Sequence, residues 1–210
     1  KIAIEAGADS FTVAALRTLV AVALLWTGYA LFFRKFIYIY PAGLLGCIVI
    51  GSINGIGSLF FYGGLTYLDA SLVQLINGSY LAFAVLLSRL GGQRATGRTL
   101  LRVGMAMTAL VMITVFDDVG LNWTGIGLML ANALMFAGTV TLSQYVLYEM
   151  PAPTATLYIL TTMGVVVSMV WLAVSPAITA SFDITILSAA LLPIILLGLT
   201  TAISRLAMFA

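Results

Sequence analysis

The segment SLVQLINGSYLAFAVLLSRL, residues 71–90, decides the class of fold that this sequence can adopt. It is apolar and long enough to cross a lipid bilayer as a helix, which takes about 20 residues. Two primary amides, Gln74 and Asn77, nevertheless lie inside it. Because polar side chains are costly in hydrocarbon, an amide at this depth indicates a specific partner, either on a neighbouring helix or on a bound solute.

The composition of the whole chain supports a membrane protein. Its residues are 62% hydrophobic and 8% charged, whereas about 25% of residues are charged in an ordinary soluble domain. The sequence contains no histidine, which excludes serine–histidine catalysis and imidazole metal sites, and its acids lie near segment ends rather than in clusters. We therefore expect an integral membrane protein with no enzyme activity and no cofactor. The single cysteine, Cys47, is interpreted as a packing residue.

The hydropathy pattern predicts seven spans joined by short polar or Gly/Pro turns. These cover residues 11–33, 44–67, 71–90, 100–116, 123–148, 154–174 and 184–209. A transmembrane barrel would show segments of about ten residues with alternating polarity, and no such alternation is present in the sequence. The predicted fold class is therefore all-α, a polytopic bundle of membrane helices.

The basic residues predict how the spans are oriented. They flank the first and third connections, at Arg34, Lys35, Arg89, Arg94, Arg98 and Arg102, whereas Asp69, Asp117, Asp118 and Asp183 mark the opposite ends. Loops rich in Lys and Arg stay in the cytoplasm, so we expect the basic connections to be cytoplasmic. Counting the crossings then favours the initial KIAIEAG as the end of an earlier helix over an external extension, and the chain is expected to be a trimmed form.

A weak internal repeat is visible between the two halves of the chain. DSFTVAALRTLVAVALLW, residues 9–26, and PAPTATLYILTTMGVVVSMVW, residues 151–171, both run from a small polar turn into a long apolar span. GIGSLFFYGGL and GLTTAISRLAM also correspond, with Gly55 opposite Gly198. A repeat with an odd number of spans must enter the membrane the other way up, which is the inverted plan of many secondary transporters.

The stretch FYGGLTYLDASLVQLINGSYLAFAVLLSRLGGQRATGRTLLRVGMAMTALVMITV, residues 61–115, resembles the central part of EamA-type drug/metabolite transporters. Residues 1–25 look like the first loop and second helix of that family, and residues 123–150 like the opening helix of its second repeat. The resemblance implies ten helices in two inverted five-helix repeats around a central substrate cavity. Residues 1–118 would form the first repeat and 119–210 the second, truncated after the eighth helix.

Two positions depart from the pattern of the family. Leu81 follows Tyr80 where the family commonly has a proline, so a proline kink is not expected there. Gln93 stands where the family commonly has a glutamate, so a salt bridge with the loop arginines cannot be carried over.

Four predicted helices have one small and polar face at a period of 100 degrees per residue. The faces comprise Gln74, Asn77, Leu81, Ala84 and Ser88 with Tyr80 at the edge; Gly51, Asn54, Ser58, Phe61 and Tyr62; Gly125, Asn132, Phe136, Thr139 and Ser143; and Thr154, Tyr158, Thr161 and Ser168. Such faces predict either a wet cavity or close helix packing with interhelical hydrogen bonds. Hydroxyls can also bond their own backbone, whereas a primary amide has more donors and acceptors than one packing contact satisfies.

Two arginines lie within the predicted spans. Arg17 is about 9 Å inside its helix at 1.5 Å per residue, where it either extends to the surface or attracts a carboxylate or phosphate. Arg205 lies near the predicted cytoplasmic end of its span and is interpreted as an interfacial anchor. With the resemblance, the expected substrate-binding residues are Gln74, Asn77, Tyr80, Asn54, Ser58, Tyr62, Asn132, Thr139, Tyr158 and Arg17.

No acidic residue lies in the middle of a span, whereas proton-driven carriers typically place a carboxylate there. The sequence therefore favours a facilitator or exchanger of a small polar or amphipathic metabolite, working by alternating access. A proton-coupled multidrug exporter and a non-transporting scaffold or receptor subunit remain as alternatives. The expected setting is a prokaryotic inner membrane, with a small-molecule substrate and the lipid bilayer as partners, no nucleic acid, and a homodimer left open.

Overall fold

The computed structural model describes residues 10–92, 97–98, 101, 103–105, 108, 112, 122–174 and 194–204. Every regular element in this part of the chain is helical. The helices are α1 (Ser10–Phe32), a short 3₁₀ turn (Arg34–Phe36), α2 (Pro41–Tyr67), α3 (Ala70–Asn77), α4 (Tyr80–Leu90), α5 (Trp123–Glu149), α6 (Ala152–Val174) and α7 (Ile194–Ser204). Five helical stretches are long and apolar enough to cross a membrane, α3 and α4 counting together as one. The all-α membrane bundle is therefore confirmed.

The described spans begin and end within three residues of the predicted ones. α2 starts earlier than expected because Pro41 occupies the first turn, where its missing N–H is not needed. The predicted span 100–116 falls almost entirely outside the described residues, as do the stub before Ser10 and the first part of the span 184–209. α7 lies inside that last predicted span.

The span 71–90 is interrupted rather than continuous. α3 ends at Asn77 and α4 begins at Tyr80, with Gly78 and Ser79 between them. Within the break the N–H of Gly78 reaches the carbonyls of both Gln74 and Leu75 at 3.1 Å, and the N–H of Ser79 reaches Ile76 at 3.0 Å. This tightening to three-residue hydrogen bonds accompanies a Gly-Ser pair, a known cause of kinks. The α-helical hydrogen-bond pattern is thus interrupted although Leu81, and not a proline, follows Tyr80.

α2 is the central helix of the described bundle and packs against α1, α5 and α6. Glycines allow its close approach to two of these helices. A Cβ atom at Gly51 would lie 2.6 Å from the Ile159 carbonyl oxygen of α6, and one at Gly64 would lie 2.6 Å from the Met129 sulfur of α5. Small residues at such crossings let the backbones of membrane helices approach closely, and this packing holds the helices together where no hydrophobic driving force acts between them.

α1 and α6 run antiparallel and are joined by two reciprocal tryptophan bonds. Trp26, near the end of α1, donates its indole N–H to the hydroxyl of Thr161 at 3.0 Å. Trp171, near the end of α6, donates to the hydroxyl of Thr12 at 3.0 Å. Each tryptophan is the last residue of one of the two segments whose likeness indicated an internal repeat.

The connections lie alternately at the two ends of the bundle. Thr154 donates to the Phe36 carbonyl at 2.8 Å, and Tyr29 donates to the Pro153 carbonyl at 3.1 Å, so the α1–α2 and α5–α6 connections share one end. The start of α5 packs on Leu68 at the other end, because a Cβ at Gly125 would lie 2.8 Å from the Leu68 side chain. This alternation is what the predicted orientation requires. We call the end with residues 33–40 and 150–153 the basic end.

Candidate functional site

A cavity of about 380 Å³ lies between α2, α5 and α6. Its wall combines amides, hydroxyls and one aromatic ring with aliphatic side chains. The lining residues are Asn54, Phe136, Thr139, Val140, Ser143, Gln144, Ala155, Thr156, Ile159 and Leu160. None of them is charged. Asn54 and Phe136 are the middle residues of α2 and α5, so the cavity extends from the centre of these helices towards the basic end.

The hydroxyls of Thr139 and Ser143, on the α5 side of the cavity, donate their hydrogen bonds to backbone carbonyls of the same helix. Thr139 donates to the Met135 carbonyl at 3.1 Å and Ser143 donates to the Thr139 carbonyl at 2.7 Å. Each oxygen keeps lone pairs but has no further proton to give. Towards a solute these two side chains are therefore acceptors, while the amides of Asn54 and Gln144 offer both donors and acceptors.

Two of the predicted amides are brought together by α3 and α5. The side-chain N–H of Asn132 donates to the side-chain oxygen of Asn77 at 2.8 Å, and Asn132 is 7% exposed. This is an interhelical bond of the kind that the packing alternative predicts. It uses one donor and one acceptor and leaves the other amide groups of the pair for further partners.

The ring of Phe136 is held in place from outside the cavity. Tyr80, the first residue of α4, meets it edge to face, with ring centroids 4.9 Å apart and planes at 82°. This is a preferred geometry for aromatic pairs. Tyr80 thus supports the aromatic wall of the cavity, directly after the break between α3 and α4.

Arg17 turns towards α2. Its guanidinium donates to the hydroxyl of Tyr62 at 2.6 Å, and the guanidinium carbon lies 5.5 Å from the centre of that ring. Tyr62 is 5% exposed, and the Arg17 side chain is half-buried. The two residues form a pair in the half of the bundle away from the basic end.

The remaining predicted residues are spread over the bundle. Tyr158 donates to the Ile37 carbonyl at 2.7 Å and lines a separate surface groove at the basic end. Ser58 is half-buried, one turn beyond Asn54, and Gln74 is exposed on α3. Of the ten predicted residues, the cavity wall contains Asn54 and Thr139.

Eight residues of the wall were not among the binding residues predicted from the sequence. Phe136 and Ser143 belong to the polar face predicted for α5 but were not named as binding residues, and Thr156 lies outside the face predicted for α6. Gln144 lies about 80° around the helix from Phe136 and therefore outside that face, so the helical period did not indicate it.

No group of three or more His, Cys, Asp or Glu side chains that could hold a metal ion occurs among the described residues. Cys47 is fully buried against α6, as expected of a packing residue.

Comparison with protein-family models matches residues 1–115 to the EamA-like transporter family. The matched segment is more than half of the chain and includes α1 to α4. Comparison with curated proteins and with solved structures gave no match. The members of this family are transporters rather than enzymes. The chain is a multi-pass integral membrane protein and belongs to the EamA-like transporter family.

Proposed function

We propose that this protein is a secondary transporter that moves a small polar or amphipathic metabolite through a central cavity by alternating access. The observation that supports this most is the cavity between α2, α5 and α6, which begins at the middle of the helices and extends towards one end. Its volume of about 380 Å³ is within the range of about 300 to 1,000 Å³ that small-molecule sites have.

The lining supports a substrate that is polar on one side and flat or apolar on another. Asn54 and Gln144 offer amide donors and acceptors, and Thr139 and Ser143 offer acceptors. Phe136 offers a ring whose orientation is fixed by Tyr80. An amphipathic solute would match this division, since its hydrogen-bonding groups would replace lost water while its apolar part covers the ring.

The mode of coupling that we propose is facilitation or exchange. No carboxylate is found among the described residues that line the cavity, and carboxylates within the membrane are the usual proton carriers of coupled transporters. We place the protein in a prokaryotic inner membrane. Transport by the full-length protein that follows the proton gradient, with substrate balanced on both sides, would reject this mode of coupling.

We also propose that residues 1–118 and 119–210 belong to two inverted repeats. The family match ends at residue 115, close to this boundary. The reciprocal bonds of Trp26 and Trp171 support the same division, because they relate α1 and α6 in the way that an inverted repeat relates its equivalent helices.

The proposed function is tested with the full-length protein in two steps. Thermal shift against a panel of amino acids, sugars, nucleosides and amphipathic amines identifies a binder, and its uptake is then measured in proteoliposomes. Gln144→Leu removes a cavity amide and is expected to reduce uptake at least tenfold, because a desolvated polar group of the substrate would lose its hydrogen-bond partner. Thr141→Leu is the matched control on the same helix, because Thr141 is not part of the cavity wall. Equal uptake by the parent and Gln144→Leu would contradict the cavity as the route.

A further inference from the structure

Arg17 is a cation inside a membrane span. It lies two turns into α1, and its half-buried side chain is directed at Tyr62 of α2 rather than out of the bundle. Ionisable residues in membrane helices are costly and mark functional positions by default. The cavity between α2, α5 and α6 does not include Arg17, so the proposed route for a polar solute leaves this charge without a role.

The partner that holds the guanidinium is neutral. Nη1 donates to the Tyr62 hydroxyl at 2.6 Å, and the guanidinium carbon lies 5.5 Å from the ring centre. The Nε atom is buried and has no acceptor within the described structure. No carboxylate among the described side chains forms an ion pair with Arg17. Among the described residues this half-buried cation has no counter-charge and one N–H without an acceptor, and both features are unfavourable.

The donors that remain suit an oxyanion. A guanidinium presents five N–H groups in a planar fork that matches two oxygens of a carboxylate or phosphate. The Tyr62 oxygen accepts from Arg17, and a phenol that accepts a hydrogen bond still has its own proton to donate. We infer that Arg17 and Tyr62 form a binding site for one oxyanionic group, a carboxylate or a phosphate.

The place of this site in the bundle relates it to the cavity. Tyr62 lies two turns beyond Asn54 on α2, about 12 Å along the helix at 1.5 Å per residue, and Ser58 lies between them on the same polar face. The oxyanion site is therefore on the far side of the cavity from the basic end. If the oxyanionic group belongs to the transported solute, this inference rests on the proposed transport function. The uncharged cavity would then accept the neutral part of that solute.

The test observes the Arg17 side chain directly. Full-length protein labelled with ¹⁵N-arginine in dodecyl maltoside is titrated with sodium benzoate, with inorganic phosphate and, separately, with phosphatidylglycerol. The Nε–H resonance that disappears in Arg17→Lys is assigned to Arg17. A saturable downfield shift is expected with a soluble anion, because the unpartnered Nε–H acquires an acceptor. Tyr62→Phe, which keeps the arginine, is expected to weaken this binding about tenfold by removing one donor to a charged group.

Arg34→Lys is the matched control, because Arg34 is exposed at the basic end and already donates its Nε–H to the Ala30 carbonyl. It should leave the titration unchanged. A shift with benzoate or phosphate supports the site with a solute as its occupant, and a shift with phosphatidylglycerol alone supports it with a lipid headgroup. An Arg17 resonance that none of the three moves overturns the inference. The titration involves no transport, so its failure is distinct from a failure of the uptake measurement.

Discussion

At the scale of single residues, the sequence identified the polar side chains within apolar spans but not which of them contact one another. Asn77 and Asn132 were both expected in polar faces, and the structure joins them across α3 and α5. Gln74, on the same predicted face as Asn77, is exposed instead. The periodicity of one helix fixes the angle between its own residues. It does not fix the rotation of that helix against its neighbours, which depends on packing.

The two amides of α3 should therefore respond differently to the same substitution. Asn77→Leu removes the bond to Asn132 and is expected to lower the free energy of unfolding by about 0.6 to 1.7 kcal/mol, the range for interhelical bonds in membranes. Gln74→Leu, the matched control, removes an exposed amide and should change stability less. Thermal unfolding of the purified full-length variants measures both, and losses of equal size would show that the Asn77–Asn132 bond contributes nothing of its own.

At the scale of helices, hydropathy predicted the five described spans well because about 20 apolar residues are needed wherever a helix crosses the bilayer. It did not predict the break at Gly78 and Ser79, since both residues are small and leave the hydropathy of the span 71–90 high. The lack of a proline after Tyr80 did not indicate the break either, because a Gly-Ser pair can interrupt a helix without a proline. The break matters for the site because Tyr80, which supports the Phe136 ring, follows it directly.

The close crossing of α2 and α6 at Gly51 gives a prediction at the same scale. Gly51→Ala would place a Cβ atom 2.6 Å from the Ile159 carbonyl oxygen and must push α2 and α6 apart. We expect a loss of about 1 to 3 kcal/mol in stability, as for overpacked sites. Gly138→Ala on α5 is the control, since a Cβ there meets no atom within 4 Å. A Gly51→Ala protein as thermostable as Gly138→Ala would refute the close contact between α2 and α6.

At the scale of the whole molecule, the fold class followed from composition and the family from the pattern around residues 61–115. The cavity did not follow from either, because a polar face gives the same sequence pattern whether it lines a cavity or packs against another helix. Thr139 shows both at once, since its hydroxyl bonds its own backbone while the side chain lines the cavity. Only the arrangement of α2, α5 and α6 in space distinguishes the two.

The central claim is that the space between α2, α5 and α6 is a water-filled route, and cysteine labelling tests it most directly. Single cysteines are placed at Ser143, in the cavity wall, and at Leu142, an exposed apolar neighbour at the same depth that is not part of the wall. The buried Cys47 stays as an internal control, with any other cysteine of the full-length chain replaced. In proteoliposomes, a membrane-impermeant thiol reagent should label the Ser143→Cys protein at least ten times faster than Leu142→Cys, because only the cavity holds the water that keeps a thiolate charged. Equal and slow labelling at both positions would contradict the account, since the polar faces would then close on one another and leave no route for a solute.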